Sequence, residues 1–398
     1  LFPRREKEFL MQQRRPSFPP KTGEARNTPA NRECRDHRER QGNRARRNAR
    51  VTRAADQVAA RAPSPFWDTA PADFEPSRLP EEDFSVQVAA RHYVRPLLEE
   101  LGPRVLGARG RLVLARGSST AAWAQNVWLQ PRWLPIASIG DAARQLTALQ
   151  RNWRAHVPPP GVEPGFRRRL ALIGEALPHV GGRPLAFGDP LPTAPLGAFT
   201  LWSDNLLLAS PRTTSAFADG EMAFQENRDD PPGRAYLKLW ELFTLLGRRP
   251  RPGELCVDLG ASPGGWTWVL ASLGCRVFSV DKAPLDPRTA RMPGVNHCTG
   301  SGFALDPRDV GRVDWLFSDM ICYPEKLLGV LLRWLEAGAC RNAVCTLKFQ
   351  SETDHATARR FAAIPGGSLR HLSRNRHELT FVRLETDGSG RPAETSSV

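Results

Sequence analysis

ELCVDLGASPGGWTWVLASLGCRVFSVD, residues 254–281, is the stretch that decides the fold. Its apolar run at 255–259 has the length of a buried strand and ends at Gly260. A glycine-rich turn follows, residues 266–273 have the character of a helix, and a second strand is predicted at 276–280. The pattern predicts a strand–helix–strand unit with a ligand-binding turn. Asp281, at the end of the second strand, can accept hydrogen bonds from a ribose diol.

The composition of the turn indicates which ligand it binds. Gly260, Gly264 and Gly265 let the backbone approach a ligand closely, whereas Pro263 stiffens the turn and offers no amide. A pyrophosphate-binding turn has the pattern GxGxxG, which GASPGGW does not match. We therefore expect a nucleoside without phosphates, such as S-adenosylmethionine, and disfavour a nicotinamide cofactor. The alternative is a tight strand-to-helix turn that binds nothing.

Length and composition are typical of a soluble protein with two domains. The chain has 398 residues, 40% of them hydrophobic, which is enough for more than one core. No apolar run reaches the ~18 residues that span a bilayer, and no signal peptide is visible, so we expect a soluble, cytoplasmic protein. We also expect it to be a monomer. The seven cysteines form no CxxC pair. They predict reduced packing residues, with neither disulfides nor a metal site.

The positive charge is concentrated at the start of the chain. Residues 1–62 hold 17 Lys/Arg and 7 Asp/Glu, a net of +10 out of +14 for the whole chain. Their Arg-, Asn- and Pro-rich composition predicts a disordered basic tail, followed by a linker at 63–83. The tail is either a phosphate-binding arm or a solvated extension, and we favour the extension. A second disordered segment is predicted at 387–398.

Residues 84–220 predict a small α+β region. The order strand–helix–strand–strand at its start is that of a ferredoxin-like module. Trp123, Trp128 and Trp133 are candidates for stacking on unpaired bases, although core packing is the more common role. The predicted elements are strands at 84–89, 104–106 and 111–115, helices at 93–101, 141–153 and 166–177, and a hairpin at 199–202 and 205–209.

Residues 221–386 predict an α/β domain in which strands and helices alternate. Such a pattern is typical of a Rossmann-like, doubly wound parallel sheet, here closed by an antiparallel hairpin. Ligands of these sheets bind beyond the carboxyl ends of the strands, where Asp281, Asp319 and Lys348 are predicted to lie. The other predicted elements are helices at 234–247, 324–336 and 352–363, strands at 313–318 and 343–347, and a final pair at 368–373 and 378–384.

Lysine is scarce in this chain. Arginine outnumbers it 50 to 6, and after the tail lysine occurs only at 238, 282, 326 and 348. Arginine serves wherever only positive charge is needed, but it cannot lose its proton near neutral pH, whereas lysine can. We therefore single out Lys238 and Lys348, together with the acidic residues Asp319 and Glu378, as candidates for chemistry.

The second half of the chain resembles the FtsJ-like (RrmJ-type) RNA 2'-O-ribose methyltransferases. The shared motifs are RAYLKL, VDLGASPGGWT, SVD, SDM, GACRNAVCTLK and RHELTFVR, spread over residues 234–384. The resemblance implies a methyltransferase fold, S-adenosylmethionine as the cofactor and RNA as the substrate, with large-subunit ribosomal RNA expected. Before residue 230 the likeness is weaker, with a reduced THUMP-like part in an RNA-binding region.

The family carries a Lys-Asp-Lys-Glu tetrad, which matches Lys238, Asp319, Lys348 and Glu378. Methylation of a ribose hydroxyl requires a base, and a lysine beside a second cation can provide one. We assign Lys348 as the base, Lys238 as the cation that tunes it, and the two carboxylates as orienting groups. The alternative is a pair of exposed ion pairs.

The resemblance also assigns the cofactor site. The loop is expected to wrap the methionine end of the cofactor, Asp281 its ribose, and Asp319 its amino group. Where the family has an acidic residue for the adenine, this chain has Ser301, which lacks the charge. That departure leaves open an inactive RNA-binding assembly protein as the second hypothesis. The loop residues are Gly260, Ala261, Ser262, Pro263, Gly264, Gly265 and Trp266.

Overall fold

The computed structural model describes residues 83–158 and 164–385, which form three β-sheets. The predicted tail at 1–62, nearly all of the linker at 63–83 and the predicted disordered segment at 387–398 lie outside these residues. Within the described residues, no helix is both long and apolar enough to cross a bilayer.

The first sheet is antiparallel and has four strands in the order β2-β3-β1-β4. This is the strand order of a ferredoxin-like module, as predicted, but only one of the two connections of such a module is helical. One face packs with α1 and the indole of Trp123. The other face packs against the second sheet through residues such as Trp128. The elements are β1 (Phe84–Ala89), α1 (Val94–Leu101), β2 (Val105–Arg109), β3 (Leu112–Arg116) and β4 (Ala124–Trp128).

The second sheet has the order β5-β8-β7-β6 and carries two helices. Strands β7 and β8 form the predicted hairpin, and β6 runs parallel to β7. The predicted helix at 141–153 begins earlier, because the Ser138 side chain caps it, and ends before Trp153, which starts a strand. The elements are β5 (Arg132–Pro135), α2 (Ile139–Leu149), β6 (Trp153–Ala155), α3 (Pro164–Glu175), β7 (Gly197–Ser203) and β8 (Leu206–Ser210).

The third and largest sheet confirms the predicted doubly wound fold with its antiparallel hairpin. Its order is β11-β10-β9-β12-β13-β15-β14; the first five strands are parallel, β15 runs antiparallel to them, and β14 is antiparallel to β15. The strands are β9 (Leu255–Leu259), β10 (Arg276–Asp281), β11 (Val295–Thr299), β12 (Val313–Ser318), β13 (Cys340–Lys348), β14 (Gly367–Arg370) and β15 (Glu378–Arg383).

Helices cover both faces of this sheet because its strands are apolar on both sides. Trp315 and Phe317 pack under α4 and α5, whereas Leu316, between them, packs on the opposite face with α8 and α9. Burying one such side chain is worth about 1.5–3 kcal/mol. The helices are α4 (Tyr236–Leu246), α5 (Gly265–Ser272), α6 (Pro287–Ala290), α7 (Pro307–Val310), α8 (Pro324–Glu336) and α9 (His355–Ala362).

Several strands were not predicted, and β11 shows why. It lies at the edge of the sheet, and its sequence, VNHCT, leaves each side chain exposed or half-buried. A strand with so little apolar surface gives no hydrophobic pattern to detect. Strands β4, β5 and β6 of the smaller sheets were missed as well. By contrast, β9, β12 and α8 have the predicted bounds.

Candidate active site

The turn after β9 packs closely against the segment that follows β12 and against α6. Gly260 has φ +78°, and a Cβ atom there would lie 2.7 Å from Met320 Cγ. Gly264 has φ +114°, and its Cβ would lie 2.9 Å from Thr289 Cγ2. Both positions combine a left-handed backbone with no room for a side chain, so they require glycine.

Asp281 ends β10 and is fixed by two backbone amides. Its Oδ2 accepts a hydrogen bond of 3.1 Å from the amide of Ser262, and its Oδ1 accepts one of 2.9 Å from the amide of Ala283. A carboxylate oxygen can accept more than one hydrogen bond, so both oxygens can still accept from a ligand.

An open cleft of about 360 Å³ lies above the carboxyl ends of β9, β10 and β12. This volume falls within the roughly 300–1,000 Å³ of small-molecule sites. Lys348 also lines it, so the cleft joins the predicted cofactor residues to the predicted base. Of the residues assigned to the cofactor, those that line the cleft are Gly260, Ser262, Asp281, Ser301 and Asp319.

Trp266 lies away from this cleft. The residue is 3% exposed, and its indole Nε1 donates a hydrogen bond of 3.1 Å to the carbonyl of Ala235, just before α4. Its side chain therefore ties α5 to the start of the helix that carries Lys238. The other residues of the loop that are not part of the cleft lining are Ala261, Pro263, Gly264 and Gly265.

The structure brings the four charged candidates together. Lys238 Nζ lies 2.6 Å from Glu378 Oε1 and 3.5 Å from Asp319 Oδ1. Lys348 Nζ lies 2.9 Å from the same Asp319 oxygen and donates a hydrogen bond of 2.5 Å to the Asp319 carbonyl. Two amines therefore share one carboxylate. We call Lys238, Asp319, Lys348 and Glu378 the charged cluster.

The sheet explains how residues so distant in sequence meet. Strands β13 and β15 are antiparallel, and their register sets Lys348 directly opposite Glu378. Asp319 follows β12, the neighbour of β13 on its other side. Lys238 comes from the first turn of α4, which packs on the face of the sheet.

Because the side chains of the charged cluster are largely buried, their charges interact strongly with one another. The side chains of Lys238 and Glu378 are 10% and 9% exposed, while that of Lys348 is 20% exposed. Burial by itself lowers the pKa of Lys238, but the Asp319 and Glu378 carboxylates outweigh it and raise the pKa above its usual value. Lys238 is therefore an ammonium ion at neutral pH.

Glu241 was not identified from the sequence. It lies one turn after Lys238 on α4, is 4% exposed, and accepts hydrogen bonds of 2.9 and 3.0 Å from the backbone amide of Ser373. The Ser373 hydroxyl also donates to it, at 2.9 Å. Glu241 thus anchors the segment that leads to Glu378. Glu241 could have been found from the sequence, because it is an acidic residue within the apolar helix sequence YLKLWELF.

Asp258, within the VDLG motif, was also missed. It is fully buried beneath the cofactor turn, and its Oδ2 accepts a hydrogen bond of 2.7 Å from the hydroxyl of Thr267. Burial, reinforced by the negative charges of Asp319 and Asp281, raises the pKa of Asp258 to about 7. This carboxyl group is close to half-protonated at neutral pH.

The first sheet reaches the charged cluster through an aromatic contact. Tyr93, just before α1, stacks on His377 with the ring centroids 5.7 Å apart and the planes at 9°. Burial and the nearby Glu378 carboxylate raise the pKa of Tyr93 to about 12. His377 immediately precedes Glu378. The segment between β1 and α1 therefore packs beside one member of the charged cluster.

Part of this domain is similar to known proteins. Residues 232–348 match the family model described as FtsJ-like methyltransferase. A curated relative from Halorhodospira halophila, named ribosomal RNA large subunit methyltransferase M, is 36% identical over 40% of this chain and 49% of its own length. A relative of the same name from Xanthomonas euvesicatoria is 35% identical over 42% of this chain and 56% of its own length.

The chain spans about half the length of the curated relatives it matches. Among solved structures, magnesium protoporphyrin IX methyltransferase from Synechocystis matches with a TM-score of 0.26 and 18% identity, over 33% of this chain and 71% of that chain. At that level of similarity nothing about function follows from the match. The sequence matches lead to one conclusion: residues 232–348 are similar to the FtsJ-like methyltransferase family.

Proposed function

We propose that this protein transfers a methyl group from S-adenosylmethionine to a ribose 2'-hydroxyl of RNA, and that its substrate is large-subunit ribosomal RNA. The observation that carries the proposal is the charged cluster, which opens through Lys348 and Asp319 onto the same cleft as Asp281. The choice of ribosomal RNA is supported by the names of the relatives, and the choice of the 2'-hydroxyl by the family resemblance.

The residues of the cleft fit this cofactor. Asp281 offers two carboxylate oxygens to a ribose diol, and Asp319 offers negative charge to an ammonium or sulfonium group. Ser262 and Ser301 add hydroxyl groups to the lining. When bound, the cofactor supplies an electrophilic methyl group.

The charged cluster supplies the base. Asp319 is shared by two amines and can fully neutralise only one of them. Lys238 is the more buried, is paired with Glu378 as well, and is held as an ammonium ion. Lys348 lines the cleft and is the more exposed, so we assign it to accept the ribose proton at Nζ. Asp319 and Glu378 hold the two amines in place.

We propose the cytoplasm as the site of action and a monomer as the active form. In bacteria, ribosomal RNA is made and processed in that compartment, and the relatives named above are bacterial. No residue of the charged cluster needs a second copy of the chain, because all four come from the described part of one chain.

The decisive experiment replaces Lys348 with methionine, which keeps most of the side-chain length without the amine. We expect methyl transfer to RNA to fall about a thousandfold, within the range for loss of a general base. Binding of S-adenosylmethionine, measured by calorimetry, should be retained. The matched control is Lys326→Met, because Lys326 is exposed and makes no ion pair with the charged cluster.

Two outcomes would contradict the proposal in different ways. Full activity of Lys348→Met would end its assignment as the base. Failure of the wild-type protein to bind S-adenosylmethionine at millimolar concentration would instead favour the RNA-binding assembly protein, since Ser301 lacks the charge that the family uses at the adenine.

A further inference from the structure

The segment that follows Asp319 exposes two large apolar side chains. Ile321 is 82% exposed and Tyr323 is 63% exposed. Only Val157 and Leu172 are other large hydrophobic residues classed as exposed within residues 83–158 and 164–385. Single exposed hydrophobic residues are common on protein surfaces, but two of the four here lie within three positions of one another, next to the candidate active site.

The two exposed side chains flank a buried residue on one short segment. Along this segment Met320 and Cys322 are buried, at 6% and 8% exposure, while Ile321 and Tyr323 between and after them are exposed. The chain bends at Cys322, between the two exposed residues. Ile321 and Tyr323 together are an exposed apolar surface on the short segment between Asp319 and α8.

This surface is held on a rigid support. The carbonyl of Tyr323 accepts hydrogen bonds of 3.0 and 3.2 Å from the amides of Lys326 and Leu327, the start of α8. The buried Pro324 is the first residue of that helix. The backbone that carries the Tyr323 ring is thus fixed before any partner binds.

The position of the surface indicates what covers it. Ile321 lines the same cleft as Lys348 and Asp319. A ribose whose 2'-hydroxyl reaches Lys348 carries its base on the adjacent carbon, so that base and its neighbour must lie at the mouth of this cleft. Every base has an apolar π-face, and an aromatic ring binds such faces with little regard to sequence.

We propose that Ile321 and Tyr323 form a stacking platform for an unpaired base of the RNA substrate, at the methylated nucleotide or next to it. This inference rests on the proposed function for its choice of ligand. The base must be unpaired, because the bases of an RNA duplex are stacked on one another and closed to side chains.

The test measures binding of a fluorescent single-stranded RNA oligonucleotide and of the same RNA annealed to its complement. We expect Tyr323→Ala to weaken single-strand binding about tenfold, as for the loss of one stacked base, and to leave duplex binding unchanged. Tyr323→Phe should bind like the wild type, because stacking needs the ring and not the hydroxyl. Leu172→Ala, an exposed apolar residue on α3, is the matched control.

A kinetic measurement distinguishes base stacking by Tyr323 from a purely structural role of that residue. The platform predicts a raised KM for RNA in Tyr323→Ala, with unchanged kcat at saturating RNA and unchanged affinity for S-adenosylmethionine. Equal single-strand binding by the wild type and Tyr323→Ala would overturn the inference. So would Tyr323-dependent self-association in sedimentation, since a second copy of the chain would then cover the surface.

Failure of the inference and failure of the proposed function give different results. A wild-type protein that methylates RNA, with a Tyr323→Ala variant that binds RNA equally well, refutes only the platform. A wild-type protein that binds single-stranded RNA through Tyr323 but methylates nothing refutes only the proposed activity.

Discussion

The two sides of the cleft are built in different ways. The cofactor side is made mainly by one stretch of chain, residues 260–281, and its central side chain, Asp281, accepts hydrogen bonds from the backbone amides of Ser262 and Ala283. The charged cluster is made by four side chains spread from residue 238 to residue 378, and these fix one another. Local sequence determines the first; only the complete sheet produces the second.

This difference separates the expected effects of mutation. Changes in the charged cluster should reduce the rate of methyl transfer and disturb stability, since each member holds another. Changes on the cofactor side should reduce affinity for the cofactor and leave the rate at saturation nearly unaltered. A charged-cluster variant that changed only cofactor affinity, or a cofactor-side variant that lowered kcat, would show that the two sides are not separate in function.

Lys238→Met should have the largest effect on the charged cluster. It removes the cation that lies 2.6 Å from Glu378, while Asp319 keeps its ion pair with Lys348, so the Glu378 carboxylate is left without that cation in a poorly solvated site. Breaking a buried ion pair in this way costs about 3–5 kcal/mol. We expect that loss in the free energy of unfolding, measured with urea, together with loss of methyl transfer.

The double variant Lys238→Met, Glu378→Gln supplies the control. Neutralising Glu378 removes the unpaired charge that the first change created, so stability should recover in part while activity should not. Equal instability of the single and double variants would show that packing, and not charge, accounts for the loss.

Asp258→Asn tests the carboxyl group beneath the cofactor turn. Burial raises the pKa of Asp258 to about 7, above its ordinary value of 3.8. The stability it contributes is therefore fully present below about pH 4 and is lost as the pH rises through 7. Between pH 4 and 8 the wild type should lose about 4 kcal/mol more unfolding free energy than the variant.

Urea unfolding at the two pH values measures this difference directly. Asp204→Asn, which changes an exposed aspartate at the β7–β8 turn, serves as the control and should follow the wild type. A pH dependence of Asp258→Asn that matches the wild type would mean that the buried carboxyl group does not titrate in this range.

The same contrast explains what the sequence could predict. The cofactor turn, β9 and Asp281 were found because a continuous motif of glycines and apolar residues encodes them. The charged cluster was found from lysine scarcity, strand ends and the family resemblance, since no local pattern links residues 238 and 378.

What the sequence did not reveal depends on burial, which a single sequence does not display. Trp266 was expected at the cofactor, but its large ring lies in the core, the common outcome for tryptophan. Asp258 and Glu241 look like ordinary acidic residues until the fold encloses them. Tyr323 reads as the residue before a helix, and only its exposure beside the cleft makes it a candidate for binding.

Asp281→Ala tests the cofactor side. The change removes both carboxylate oxygens that we propose as acceptors for the ribose diol, and hydrogen bonds to a charged group contribute about 1.5–3 kcal/mol each. Two such bonds amount to at least about 3 kcal/mol, so we expect the Kd for S-adenosylmethionine to rise by at least about a hundredfold, with kcat at saturating cofactor nearly unchanged. A kcat as low as that of Lys348→Met would show that Asp281 belongs functionally to the charged cluster.

Ser301→Asp should have the smallest effect and acts in the opposite direction. Ser301 lines the cleft with Asp281, at the position where the family has an acidic residue for the adenine amino group. Replacing a neutral acceptor by a charged one strengthens a hydrogen bond about twofold, so we expect cofactor affinity to rise by roughly three- to tenfold. The added charge lies on the cofactor side and takes no part in the ion pairs of the charged cluster, so kcat should not change.

Ser301→Ala, which removes the acceptor altogether, should weaken binding by a similar factor. If neither variant altered the affinity measured by calorimetry, the adenine would have to be bound elsewhere in the cleft, and the correspondence between Ser301 and the acidic residue of the family would be lost.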